Sequence, residues 1–256
     1  ALLEHLSARS DAGRKLLVPY LMGGIPEPTA FPETLRAVAA HADVVEVGLP
    51  YSDPLMDGPV IAAAGERALR AGVGPIDALR ASAEVALDVP AVAMTYYNPI
   101  HRLGEREFCA LAADASFGGL IVPDLPVEES EGVRAAAADA GLAWIPLVAP
   151  TSSPRRVEMI VSGATGFVYA VSTLGVTGER GALSERAAKV VSACRTATDL
   201  PILVGIGVST PKQALEATAE ADGVVIGSAV VRLVLEEGAG AASAFLGTIR
   251  EALDGI

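Results

Sequence analysis

The sequence predicts one α/β domain over residues 1–256, a (β/α)8 TIM barrel with an extra N-terminal helix and additional helices after strands two and eight. Three observations predict it. Short apolar runs alternate with Ala-rich helical stretches along the whole chain, a pattern that belongs to a parallel sheet, closed or doubly wound. Gly23–Gly24–Ile25–Pro26, after the first strand, is too short for a dinucleotide-binding fingerprint and has Pro where the helix would begin. The Gly-rich turns fall late, after strands six, seven and eight, where barrels often build a phosphate site. A length of 256 residues suits one barrel, and 51% hydrophobic with 4% aromatic content makes its core mainly aliphatic.

Ala1–Arg9 reads as a short amphipathic helix. The predicted strands are Leu16–Leu21, Val44–Val47, Ala91–Met94, Gly119–Val122, Ala143–Val148, Gly166–Val171, Ile202–Val204 and Gly223–Ile226. Most are rich in Val, Ile or Leu on both faces, as strands covered on both sides are. Thr29–Ala40 is the helix after strand one, and Val60–Ala71 and Ile76–Leu87 follow strand two. Helical patterns over Glu105–Ala115, Val127–Ala140, Pro154–Ile160, Ser184–Ala197 and Pro211–Ala219 continue the ring. Ala229–Glu236 and Ala241–Leu253 follow strand eight, separated by the Gly-containing break 238–240.

A net charge of -12 with no basic cluster beyond Arg155–Arg156 argues against nucleic acid and anionic membranes as partners. No apolar run reaches the roughly 18 residues of a membrane span, and no signal peptide is visible, so a cytoplasmic location is expected. Cys109 and Cys194 have no metal or redox spacing and read as buried thiols. His5, His41 and His101 are scattered and form no metal cluster.

Val44–Val45–Glu46–Val47–Gly48 is apolar except for one carboxylate, on a strand expected to be covered on both faces. A buried acid needs an ion-pair partner or a function, because burial without either costs several kcal/mol or forces protonation. Its place near the carboxyl end of a barrel strand favours an acid/base role. The loop that follows, residues 49–59, holds two prolines past Pro50, a glycine and two aspartates. Asp57 there is either a helix-capping acid or a second active-site carboxylate. Pro59 suits the first turn of the next helix.

After strand seven, Gly205–Ile206–Gly207–Val208–Ser209–Thr210–Pro211 opens one helix, with Thr210 as N-cap, and after strand eight Gly227–Ser228 opens another. Neither segment contains Lys or Arg, so a phosphate would be held by backbone N–H groups and hydroxyls. Residues 172–181 carry three glycines and form a candidate lid.

The run from Glu46 to Gly58, EVGLPYSDPLMDG, closely resembles the signature of the tryptophan synthase alpha subunit. The likeness extends to Leu17–Gly24, Tyr96–Asn98, Val122–Ser130, Tyr169–Gly178, Gly205–Ser209 and Ile226–Ser228. The resemblance implies a lyase that splits indole-3-glycerol phosphate into indole and glyceraldehyde 3-phosphate, with Glu46 and Asp57 catalytic. It implies that Tyr20, Met94, Tyr96, Ile121, Tyr169 and Ile206 line the indole pocket and that Thr177 hydrogen-bonds Asp57 when the lid closes. It further implies phosphate contacts from Gly178, Gly207, Gly227 and Ser228. Asp53, Pro54, Asn98, Pro99, Asp124 and Pro126 would face a beta subunit in an α2β2 heterotetramer; each is otherwise a polar or turn residue of a local loop. No cofactor is expected in this chain; pyridoxal phosphate is expected in the beta partner. Met22, Gly23 and Thr173–Leu174 depart from the family pattern. Two other readings stand beside this one: a non-catalytic, phosphate-ligand-binding regulatory barrel, and another phosphate-binding barrel enzyme, which would lean on strand-end lysines or other acid pairs.

Overall fold

The computed structural model describes residues 1–10, 12–171 and 180–255, and side chains in the last segment from residue 187 onward. Its strands are β1 (Leu16–Met22), β2 (Val45–Gly48), β3 (Ala91–Met94), β4 (Phe117–Ile121), β5 (Ala143–Trp144), β6 (Leu147–Val148), β7 (Val168–Val171), β8 (Ile202–Gly205) and β9 (Gly223–Ile226). They form one sheet in the order β5-β4-β3-β2-β1-β9-β8-β7-β6, and every pairing is parallel.

The two outer strands, β5 and β6, are one stretch of chain interrupted at Ile145–Pro146. The Ile145 N–H still donates to the Leu120 carbonyl at 3.0 Å, and the Tyr169 N–H donates to the Pro146 carbonyl at 3.0 Å. That stretch is therefore bonded on both sides and closes the sheet into a barrel. The sequence predicts a single strand over Ala143–Val148; Pro146, which has no N–H to donate, marks the interruption.

Alternation along each strand sorts side chains into two cores. Leu16, Val18, Val44, Val92, Ile121, Ile145, Phe167, Leu203 and Val225 fill the barrel interior. Leu2 and Leu6 of helix α1 (Leu2–Ser10) join them and plug the amino end of the barrel. Leu17, Leu21, Val45 and Val47 point outward, into the larger core beneath the helices. The inner faces change character along the strands: Leu16 and Val18 lead to Tyr20, and Val44 leads to Glu46 and Gly48. The carboxyl end is where the polar groups gather.

The helical layer comprises α2 (Phe31–Ala39), α3 (Pro59–Arg70), α4 (Pro75–Ala83), α5 (Tyr97–Leu103), α6 (Glu105–Asp114), α7 (Glu131–Asp139), α8 (Pro154–Val161), α9 (Arg180–Arg195), α10 (Pro211–Ala217), α11 (Ser228–Glu236) and α12 (Ala239–Asp254). The predicted extra helices after strands two and eight are α4 and α12. The sequence pattern did not mark α5. Gly104, at φ 102°, breaks the chain between α5 and α6 in a conformation that favours glycine. The single helix predicted over Val127–Ala140 is a short 3-10 turn, Val127–Glu129, followed by α7. Thr210 caps α10 as expected, its hydroxyl accepting from the Gln213 N–H at 3.3 Å. Among the described residues no helix is long and apolar enough to cross a membrane. Cys109 and Cys194 are both buried and free.

Asp43, just before β2, is completely buried and ties the amino end together. Its carboxylate accepts from Arg9 and Arg14 at 2.9 Å each, Arg250 of α12 at 3.0 Å and the Leu17 N–H at 2.8 Å. The ring of His5 bonds the Asp43 carbonyl at 2.8 Å. A buried charge is tolerated when paired and hydrogen-bonded in this way.

Candidate active site

Glu46 lies on the inner face of β2, in register with Tyr20 of β1 and Val92 of β3. It is 1% exposed, and among the described residues neither carboxyl oxygen has a hydrogen-bond partner. The ion-pair explanation for this acid therefore finds no partner there. Burial, with the nearby Asp57 charge adding to it, pushes the carboxyl up to about 8. At neutral pH Glu46 holds a proton.

Asp57 sits at the end of the loop after β2, half-buried. It does not cap α3: the N-cap there is Gly58, with Pro59 in the first turn. Instead the Tyr96 hydroxyl donates to its Oδ1 at 3.1 Å. Burial raises the Asp57 carboxyl to about 6, and the Tyr96 hydrogen bond opposes that rise. At neutral pH Asp57 is mainly ionised. Two acids at one barrel end thus hold opposite charge states, as proton transfer beside a developing cation requires.

Three tyrosines surround the pair. Tyr20 and Tyr169 are pushed well above the usual phenol range, by burial first and by neighbouring acids second, so both remain neutral. Each lies over a glycine of the adjacent strand. A Cβ at Gly48 would overlap the Tyr20 hydroxyl, and one at Gly205 would come within 2.7 Å of the Tyr169 ring. The Tyr20 hydroxyl points to the Met22 sulfur at 3.9 Å. Met94, in register with Gly48 and Ile121, packs with Tyr169 against the inner core, where Ile121 is fully buried. Ile206 is half-buried just past β8.

The predicted phosphate turns flank β1 on the side away from β2. Gly207 is exposed, with φ 73°. Gly227 precedes Ser228, the first residue of α11, and a Cβ on Gly227 would lie 3.7 Å from the Tyr20 Cβ. Tyr20 therefore stands between the acid on β2 and the turn after β9. Thr177 and Gly178 lie outside the described residues, as do residues 172–179 of the candidate lid over 172–181; Arg180 and Gly181 begin α9.

The loops after β2, β3 and β4 form a connected rim. Asp53, Asn98, Asp124 and Pro126 are exposed there, and Pro54 and Pro99 are half-buried. Asn98 donates to the Tyr51 hydroxyl at 2.9 Å, and Asp124 accepts the Tyr97 N–H at 2.9 Å, capping the start of α5. Leu55, 90% exposed, and Met56, 51% exposed, stand beside Asp53 and Pro54. The sequence did not single out Tyr51, whose ring stacks on Tyr96 at 5.2 Å. Nor did it mark Asp43; a lone acid abutting an apolar strand was the available signal.

A closed parallel barrel with a proton-bearing acid and an ionised acid at the carboxyl ends of its strands defines an acid–base (β/α)8-barrel protein. Known proteins narrow that class. The family model described as tryptophan synthase alpha chain matches residues 6–250. The tryptophan synthase alpha chain of Carboxydothermus hydrogenoformans is 48% identical over 90% of this chain and 88% of its own. That of Streptomyces avermitilis is 46% identical over 92% and 86%. A solved structure of Mycobacterium tuberculosis tryptophan synthase superimposes with a TM-score of 0.92 at 40% identity, over 98% of this chain and 97% of that one. The alpha subunit from Legionella pneumophila gives 0.90 at 32% identity, over 99% and 98%. The chain belongs to the tryptophan synthase alpha chain family.

Proposed function

We propose that this chain acts as one barrel unit, a carbon–carbon lyase of tryptophan biosynthesis that cleaves indole-3-glycerol phosphate to indole and glyceraldehyde 3-phosphate. The observation that carries the reading is Glu46: a buried carboxyl group without a described hydrogen-bond partner, beside a second acid in the opposite charge state. Glu46 gives its proton to indole C3, and the positive charge that develops on the ring nitrogen is balanced by the Asp57 carboxylate. The ionised Glu46 then takes the proton of the adjacent glycerol hydroxyl. The carbon–carbon bond breaks, its electrons return to the ring, and the hydroxyl carbon becomes the aldehyde. Glu46 ends as it began, so the cycle needs no net proton from outside. Proton transfer by Glu46 and charge balance by Asp57 are all the chemistry asked of this chain, and no cofactor of its own is assigned to it.

Tyr20, Met94, Tyr96, Ile121, Tyr169 and Ile206 would enclose the indole ring, with Ile121 acting from beneath as packing. Gly178, Gly207, Gly227 and Ser228 would hold the phosphate, and Thr177 would meet Asp57 as the lid closes. The exposed rim at Asp53, Pro54, Asn98, Pro99, Asp124 and Pro126 would take a beta subunit carrying pyridoxal phosphate, in a cytoplasmic α2β2 assembly. Exposed Leu55 and Met56 support that assignment, since apolar side chains in water favour a covered surface.

The test supplies indole-3-glycerol phosphate to purified protein and follows indole release. Glu46→Gln is expected to abolish release while phosphate-ligand binding survives; near-normal turnover in that variant overturns the acid/base role. A wild type that releases no indole but stimulates a beta subunit would favour the regulatory barrel instead.

A further inference from the structure

We infer that Tyr96 is a positioning residue for the proposed reaction, its hydroxyl fixing the direction and charge state of the Asp57 carboxylate. The inference rests on the acid pair described above and on the geometry around the Tyr96 side chain. The Met56 N–H donates to the Tyr96 oxygen at 2.9 Å, and the same hydroxyl donates to Asp57 Oδ1 at 3.1 Å. A phenol has one proton. With the Met56 N–H occupying a lone pair, that proton is directed at Asp57. The ring cannot swing away easily: Tyr96 is 5% exposed and stacks on Tyr51 at 5.2 Å, and Asn98 holds the Tyr51 hydroxyl at 2.9 Å.

Asp57 needs such an anchor because it stands on a loop whose neighbours Leu55 and Met56 face solvent. Within that loop its own backbone bond is a turn contact, Asp57 N–H to the Pro54 carbonyl at 3.0 Å. Tyr96 approaches from the end of β3, a different element, so the clamp spans two strand ends. The groups acting on this carboxylate and its clamp are Glu46 of β2, Tyr20 of β1 and Asp124 after β4; Tyr169 of β7 completes the cluster through Glu46 and Tyr20. All of these are acids or phenols. Burial raises the Asp57 carboxyl, no cation stands among these groups to counter it, and the Tyr96 hydroxyl opposes the rise. Burial and the Asp57 charge keep the Tyr96 phenol protonated throughout the working range.

The experiment compares wild type with Tyr96→Phe, which removes the oxygen and keeps the ring. Titration of the Asp57 carboxyl carbon by NMR is expected to show its midpoint moving upward in Tyr96→Phe. The acid limb of kcat for indole release should move up with it, so that the variant loses rate most at pH 6 and recovers toward pH 7.5. In an Asp57→Asn background the same substitution should cost a smaller fold in kcat than it does beside the intact Asp57 carboxylate. An unmoved Asp57 midpoint, or an equal rate loss with and without the Asp57 carboxylate, overturns the inference; a purely structural tyrosine would lower thermal stability and leave the midpoint alone. A wild-type protein that releases no indole overturns the reaction assigned above, and the carboxyl titration still decides the role of Tyr96.

Discussion

A carboxyl group that titrates at its ordinary 4.5 in the unfolded chain and at about 8 in the barrel makes Glu46 a measurable liability. Between those values the unfolded chain has released the proton and the folded one has kept it. Stability therefore falls as pH rises from about 4.5 to about 8, and levels off above that. At pH 7 the difference amounts to about 3 kcal/mol. Glu46→Gln cannot ionise, so it is expected to be more stable than wild type, with a gain that grows over this pH window. Urea denaturation at pH 5 and pH 7.5 measures it, and a gain of the same size at both would show that the carboxyl is not held neutral. The substitution expected to end activity is thus expected to strengthen the fold, the usual trade at a site built for chemistry.

At the scale of elements, the site depends on pairing large side chains with missing ones. Tyr20 of β1 occupies space that Gly48 of β2 leaves open, and Tyr169 of β7 does the same over Gly205 of β8. These pairs bring phenols into the barrel mouth without widening the sheet. The start of α11 is the other element-level feature. Ser228 is its first residue, where free N–H groups point outward and the helix dipole favours an anion. Ser228→Asp puts a negative charge at the proposed phosphate seat. It should raise KM for indole-3-glycerol phosphate by about tenfold or more, with kcat far less affected. Steady-state kinetics decides this, and an unchanged KM would remove the phosphate from that helix.

At the scale of the whole molecule, the amino end of the barrel is organised for cohesion and the carboxyl end for chemistry. Asp43 gathers Arg9 and Arg14 from the start of the chain and Arg250 from its last helix. Arg250 is nearly as buried as its partner, whereas Arg9 and Arg14 are about one-third exposed. Asp43→Ala would leave the buried Arg250 charge with only the more exposed Asp254 as its ion-pair partner, at 2.7 Å, a loss near the lower end of the roughly 3–5 kcal/mol expected for breaking a buried pair. Chemical denaturation measures it directly; a loss below about 1 kcal/mol would show that the cluster is incidental.

Barrel class, strand positions, the sequestered acid and the late glycine turns were all legible in the sequence, because each follows from local pattern: strands covered on both faces are apolar throughout, and a single carboxylate interrupting such a run stands out. The fifth strand's break at Pro146, the helix over Tyr97–Leu103 and the arginine cluster at Asp43 were not. Neither was the choice between Asp57 as a helix cap and Asp57 as a partner of Tyr96, residues 39 positions apart. Those features depend on groups distant in sequence meeting in space, where burial and long-range hydrogen bonds, rather than local periodicity, set their energies.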